Sequence, residues 1–117
     1  MNLVLITVLG TLIDKDKQLK ALIEIKKTLK SGKIILVENN LNSEFEAIRG
    51  RDKDSRTQDY NNFLLNNGFH IVEKIDTYFK FKNKEIANDC FYSIWGKNLK
   101  FKLNKNTVEH KVIIFSN

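Results

Sequence analysis

The chain has 117 residues, 42% of them hydrophobic and 10% aromatic. That is enough for one modest core and too apolar for a disordered segment. Its net charge of +6 invites a nucleic-acid partner, but the cations are scattered, are mostly Lys, and follow the Lys, Asn and Ile enrichment of low-GC coding bias, so none is expected. The single cysteine, Cys90, excludes an internal disulfide and points to a reducing cytoplasm. No leader precedes Leu3, and Leu3–Leu9 is too short to span a bilayer, so no membrane is expected.

Leu3–Val8 is a continuous apolar run with β-branched members, which predicts a strand covered on both faces. Gly10–Thr11 breaks it, and Asp14 or Asp16 can cap the helix that follows. Leu19, Leu22, Ile23, Ile25 and Leu29 form its apolar stripe, with Lys20, Lys26 and Lys27 toward water. Ser31–Gly32 stops it, and Ile34–Val37 reads as a second buried strand closed by Glu38, Asn39 and Asn40.

Asn42–Asp54 lacks a period and is expected to be a long loop with a helical turn at Glu44–Ile48. Ser55 and Gln58 have capping-box spacing for a helix whose apolar face carries Tyr60, Phe63 and Leu64. Asn67–Gly68 ends it, with Phe69 placed for the contact that accompanies a glycine stop. From Phe69 to Phe81 the period is two, with Phe69, Ile71, Ile75, Thr77, Phe79 and Phe81 on the drier side. Glu85–Trp95 is expected to be helical, with Ile86, Cys90, Phe91 and Ile94 on one side. Phe101–Leu103 reads as a weak strand and Val108–Phe115 as the last one. The whole is expected to be a single α/β domain: two parallel strands and an antiparallel pair, in spatial order first, second, fourth, third, flanked by helices.

The stretches ITVLGTLID, EIKKTLK, SGK and IILVEN in Leu3–Asn39 resemble the second half of a class I S-adenosylmethionine-dependent methyltransferase. RTQDYNNFLLNNGFHIVE resembles that family's later helix, glycine stop and sixth strand, and HKVIIF its antiparallel seventh strand. Two features depart from the family: Ser31–Gly32–Lys33 replaces its usual proline and doubled glycine, and Thr11 stands where it commonly has histidine. The resemblance implies a partial Rossmann-like sheet and a transferase role. The chain has no G-x-G motif to cradle the cofactor. The expectation is therefore a partial or truncated methyltransferase contributing the substrate-side half, with S-adenosylmethionine bound only if an amino-terminal half is supplied. The expected partners are that half on another polypeptide, or a second copy of this chain, with a small-molecule substrate. The alternative is a non-catalytic remnant serving as an oligomerisation or protein-binding module.

The resemblance places Thr7, Val8 and Leu9 beside the cofactor, although a buried strand end is an equal reading. Glu38, Asn39 and Asn40 face a substrate or simply cap their strand. Arg49, Arg51 and Arg56 fall in one loop region; Arg51 and Arg56 are the candidates to grip a substrate anion through paired hydrogen bonds, against a solvated loop. Tyr60 reads as helix core and Cys90 as a buried thiol. His70 and His110 lack ligand-spaced partners, so no metal site is expected, and no residue stands out as a catalyst.

Overall fold

The computed structural model describes residues 14–29 and 31–117, together with the backbone of Leu3–Ile6. In chain order the elements are β1 (Leu3–Ile6), α1 (Lys15–Leu29), β2 (Lys33–Asn39), α2 (Glu44–Ile48), α3 (Arg56–Asn66), β3 (His70–Lys80), α4 (Lys84–Trp95) and β4 (Thr107–Ser116). The sheet order is β1-β2-β4-β3. β1 and β2 run parallel, while β2–β4 and β4–β3 are antiparallel. The α/β class and strand order agree with the sequence. A single parallel pair carried by a four-residue strand does not make a parallel Rossmann-like sheet, since the bulk of the pairing is antiparallel.

Residues paired across an antiparallel ladder share a face, so the registers assign every core residue to a side. Leu36 lies opposite Phe115 and Glu38 opposite Ile113. On that face Ile34, Leu36, Ile113 and Phe115 pack with Leu22 and Leu29 of α1 and with Leu64 and Phe69 at the end of α3. Val108 belongs to the other face and forms a second cluster with Ile48 of α2, Ala87 and Phe91 of α4, and Leu103. Ile35, Val37, Val112 and Ile114 share this second face, fall in neither cluster and are only half-buried. The second strand is therefore fully buried on one face and only half-buried on the other. Burial alternates along β2, with Ile34, Leu36 and Glu38 inside. The side chains of the first strand lie outside the described residues.

Other departures have local causes. The covered stripe of α1 is Gln18, Leu22 and Leu29, all buried, with Ile25 half-buried, while Leu19 and Ile23 lie on its flank and are exposed. A helix with one covered side buries positions i, i+4, i+7 and i+11; a residue one step on is turned about 100° away. Likewise α4 buries Ala87 and Phe91, and leaves Ile86 and Ile94 in solvent. The capping box at α3 does not form. Asp54 Oδ1 accepts from the Arg56 N–H at 3.0 Å, and Gln58 instead donates to Asn62.

Every residue of β3 is exposed, because it is the edge strand. A bulge at Val72 also shifts its register, so that Ile71 pairs with Phe115 but Glu73 with Ile114. Ile71 thereby faces away from Ile75, Thr77 and Phe79, which the simple alternation had put together. Phe101–Leu103 is not a strand. There the Asn88 amide imitates one: its Oδ1 accepts from Leu103 N at 2.8 Å and its Nδ2 donates to Leu103 O at 3.0 Å.

Candidate functional site

The parallel pair feeds α1 and, through the α2 segment, α3. Both helices lie on one sheet face and begin beyond the carboxyl ends of β1 and β2, where open α/β sheets bind ligands. A cavity of about 310 Å³ lies between their first turns, lined by Lys15 and Gln18 of α1 and by Asp54, Ser55, Arg56, Asp59 and Tyr60 at the start of α3. Arg56, an expected substrate residue, is part of this wall.

Tyr60 connects the cavity to the sheet. Its hydroxyl donates to Glu38 Oε1 at 2.7 Å, and Glu38 is 8% exposed at the last covered position of β2. Burial removes water from the carboxylate and pushes its pKa up to about 7, although the Tyr60 hydrogen bond works in the opposite direction. The phenol is in turn driven far above its ordinary range by burial and by the Glu38 charge. A carboxyl poised near neutrality, one hydroxyl away from a polar cavity, can exchange a proton with a bound molecule through Tyr60. From the sequence Glu38 either faces a substrate or caps its strand, and Tyr60 reads as core. The alternation of Ile34, Leu36 and Glu38 into the covered face was the available signal.

The remaining candidates go elsewhere. Thr7, Val8 and Leu9 lie outside the described residues. Asn39 points to the opposite face, its Oδ1 2.7 Å from His110 Nε2. Asn40 accepts from Leu41 N through its side chain and extends the ladder by donating to Lys111 O. Arg51 lies 3.5 Å from Asp54 and faces a separate cavity with Arg49, Trp95, Asn98 and Lys100.

Beside that second cavity is an aromatic cluster that sequence spacing did not reveal. His110 stacks on Phe79 at 4.9 Å and lies 4.6 Å from the Phe45 ring. Arg49 lies over both Phe45 and Trp95, at 4.4 and 5.3 Å from their centroids. Its Nη2 donates at 2.7 Å to Glu46, which is 2% exposed and also accepts from Thr57 Oγ1 at 2.7 Å. Burial and the Arg49 charge hold His110 below its ordinary pKa. These contacts staple α2 to β4, α3 and α4, and they read as architecture.

Among the described residues no group of His, Cys, Asp and Glu could hold a metal ion, and no helix is long and apolar enough to cross a membrane. Compared with known proteins, the chain matches no family model and no curated protein sequence.

Proposed function

We propose that this chain forms the substrate-side part of an S-adenosylmethionine-dependent methyltransferase-like domain and works with a further element that carries the glycine-rich cofactor half, in the same polypeptide or another. The observation that carries the reading is the incomplete cover of β2, whose second face lies outside the α2–α4 cluster. In a doubly wound fold helices cover both faces of the parallel strands. Here α1 and α3 pack on one face of β2, while Ile35, Val37, Val112 and Ile114 on the other stay half-buried and outside both clusters. The strand order, with one parallel pair followed by an antiparallel pair, supports the same reading.

The chain's own residues do not fit the cofactor by themselves. It has no G-x-G loop to cradle the cofactor. What these residues supply is the acceptor side. The cavity between α1 and α3 receives the molecule to be modified, Arg56 offers a donor fork to an anionic group, and Glu38 takes a proton through Tyr60. Alignment of the two reactants accounts for most of the acceleration of such a transfer.

The test is calorimetry with S-adenosylmethionine on this chain alone. No saturable heat at sub-millimolar cofactor is the expected result. A low-micromolar dissociation constant would overturn the division of labour. A second reading, a non-catalytic assembly module, is favoured by β3, an edge strand that exposes Val72 and Tyr78. Stable self-association of a protein that never acquires cofactor binding in any complex would select it.

A further inference from the structure

On the face opposite the Glu38–Tyr60 cavity, the turn after α2 and the turn after α4 close on a cavity of about 210 Å³. Its wall is Arg49, Arg51, Trp95, Asn98 and Lys100, with three cations and no carboxylate. Two contacts bring these distant segments together. The Lys100 N–H donates to Ile48 O at 2.9 Å, and the Lys100 side chain runs across Gly50. A Cβ at Gly50 would sit 2.6 Å from Lys100 Cε, and Gly50 has φ +76°, so glycine is what allows the lysine to cross the turn.

The protein neutralises these cations only in part. Among the described residues Lys100 has no ion pair. Arg49 donates through Nε to Phe45 O and through Nη2 to Glu46, and Nη1 makes no hydrogen bond among the described residues. Arg51 has only a long 3.5 Å contact with Asp54. The Asn98 amide has no hydrogen bond among the described residues either. Burial lowers the pKa of Arg49, the Glu46 charge and hydrogen bond oppose that, and the neighbouring Arg51 and Arg56 charges lower it further. Three positive charges gathered around one small concavity raise one another's energy, and an anion placed between them relieves it.

We propose that this cavity is a binding site for a phosphate dianion, held by Arg51, Lys100 and Arg49 with the Asn98 amide as a further donor and Trp95 as an apolar wall. Planar guanidinium groups and an ammonium suit phosphate oxygens. The volume is below the roughly 300–1,000 Å³ of pockets for drug-sized ligands, so the ligand is free phosphate or a phosphomonoester with a small body. The site stands independently of the methyltransferase reading, because none of its residues lines the Glu38–Tyr60 cavity.

The experiment titrates the protein with inorganic phosphate and with phenyl phosphate at constant ionic strength. It follows the Trp95 indole N–H and the Asn98 side-chain amide by NMR, with chloride as the reference. Saturable, low-millimolar binding is expected. Phenyl phosphate binding more tightly than phosphate identifies an ester with its body against Trp95, whereas equal affinity identifies free phosphate. Lys100→Met keeps the stem over Gly50 and should weaken binding about tenfold. Asn98→Asp, an exposed change, should abolish it through like charge, and Lys97→Met, outside this cavity, should leave it intact. Shifts no larger than those caused by chloride would overturn the site. So would losses of equal size in Lys97→Met and Lys100→Met.

Discussion

Glu38 shows how one residue at a strand end can link stability to pH. Its pKa rises from the ordinary 4.5 to about 7 because the folded protein withholds water from the charged form. Between these values the folded state holds a proton that the unfolded chain has released. The stabilisation is therefore fully present below pH 4.5 and is lost as pH rises through 7, a change of up to about 3 kcal/mol. Glu38→Gln keeps an oxygen for the Tyr60 hydroxyl and cannot ionise. Urea unfolding at pH 5 and pH 8 should therefore show a drop in the wild type that is largely erased in the variant, and an unchanged drop would remove Glu38 as its source. Glu46 is held by its partners instead. It is almost fully buried but partnered on both oxygens, by Arg49 and Thr57. Glu46→Ala strands a guanidinium whose side chain is only 16% exposed, and should cost about 3 kcal/mol in the same assay. A loss below about 1 kcal/mol would show that stacking on Phe45 and Trp95 carries Arg49 unaided.

Helix starts separate what local sequence can specify from what it cannot. Asn83 accepts from Ile86 N at 2.8 Å and Ser43 from Glu46 N at 3.1 Å, both true N-caps, whereas Ser55 turns its hydroxyl to Asp59. Thermal denaturation should find Asn83→Ala about 1 kcal/mol less stable and Ser55→Ala near neutral. Equal losses would show that the Ser55–Asp59 bond does the work of a cap. The stop at Gly68 was legible because a positive φ of 89° and the buried Phe69 beside it are short-range chemistry. The short helix at Glu44–Ile48 and both edges of β3 were legible for the same reason. Which flank of α1 or α4 is buried was not, because a 100° rotation is decided by the partner surface. The bulge at Val72 was also hidden, since no glycine marks it and only pairing with β4 creates it. The site divided in the same way. Arg56 and Glu38 could be placed near a substrate from their loop and strand end, but the pairing of Glu38 with Tyr60, 22 residues away, could not. The His110, Phe45, Phe79 and Trp95 cluster joins residues from four elements and leaves no trace in spacing.

The molecule measures 47 × 27 × 22 Å with a radius of gyration of 15.9 Å, whereas a compact domain of this length would have about 13 Å. The excess reflects the long β3–β4 ladder, ten residue pairs deep, most of it on strands without a full helix layer. At the other end of the sheet β1 has β2 on one edge and no described strand on the other. Open backbone N–H and C=O groups on such an edge recruit a further strand, and the half-buried strip of Ile35, Val37, Val112 and Ile114 beside it offers apolar area to whatever arrives. The two features adjoin, so a single partner can satisfy both by extending the sheet and laying a helix on its bare face. A second copy can do this on its own, which makes self-association the expected state of the isolated chain. Light scattering over a concentration series should reveal a dimer. Val37→Lys places a charge in the strip without touching the α1–α3 core, and should shift the population toward monomer while circular dichroism stays unchanged. A wild-type protein that remains monomeric at high concentration would show that neither the edge nor the strip is sticky enough to hold a partner, and would remove assembly from the account of how this chain works.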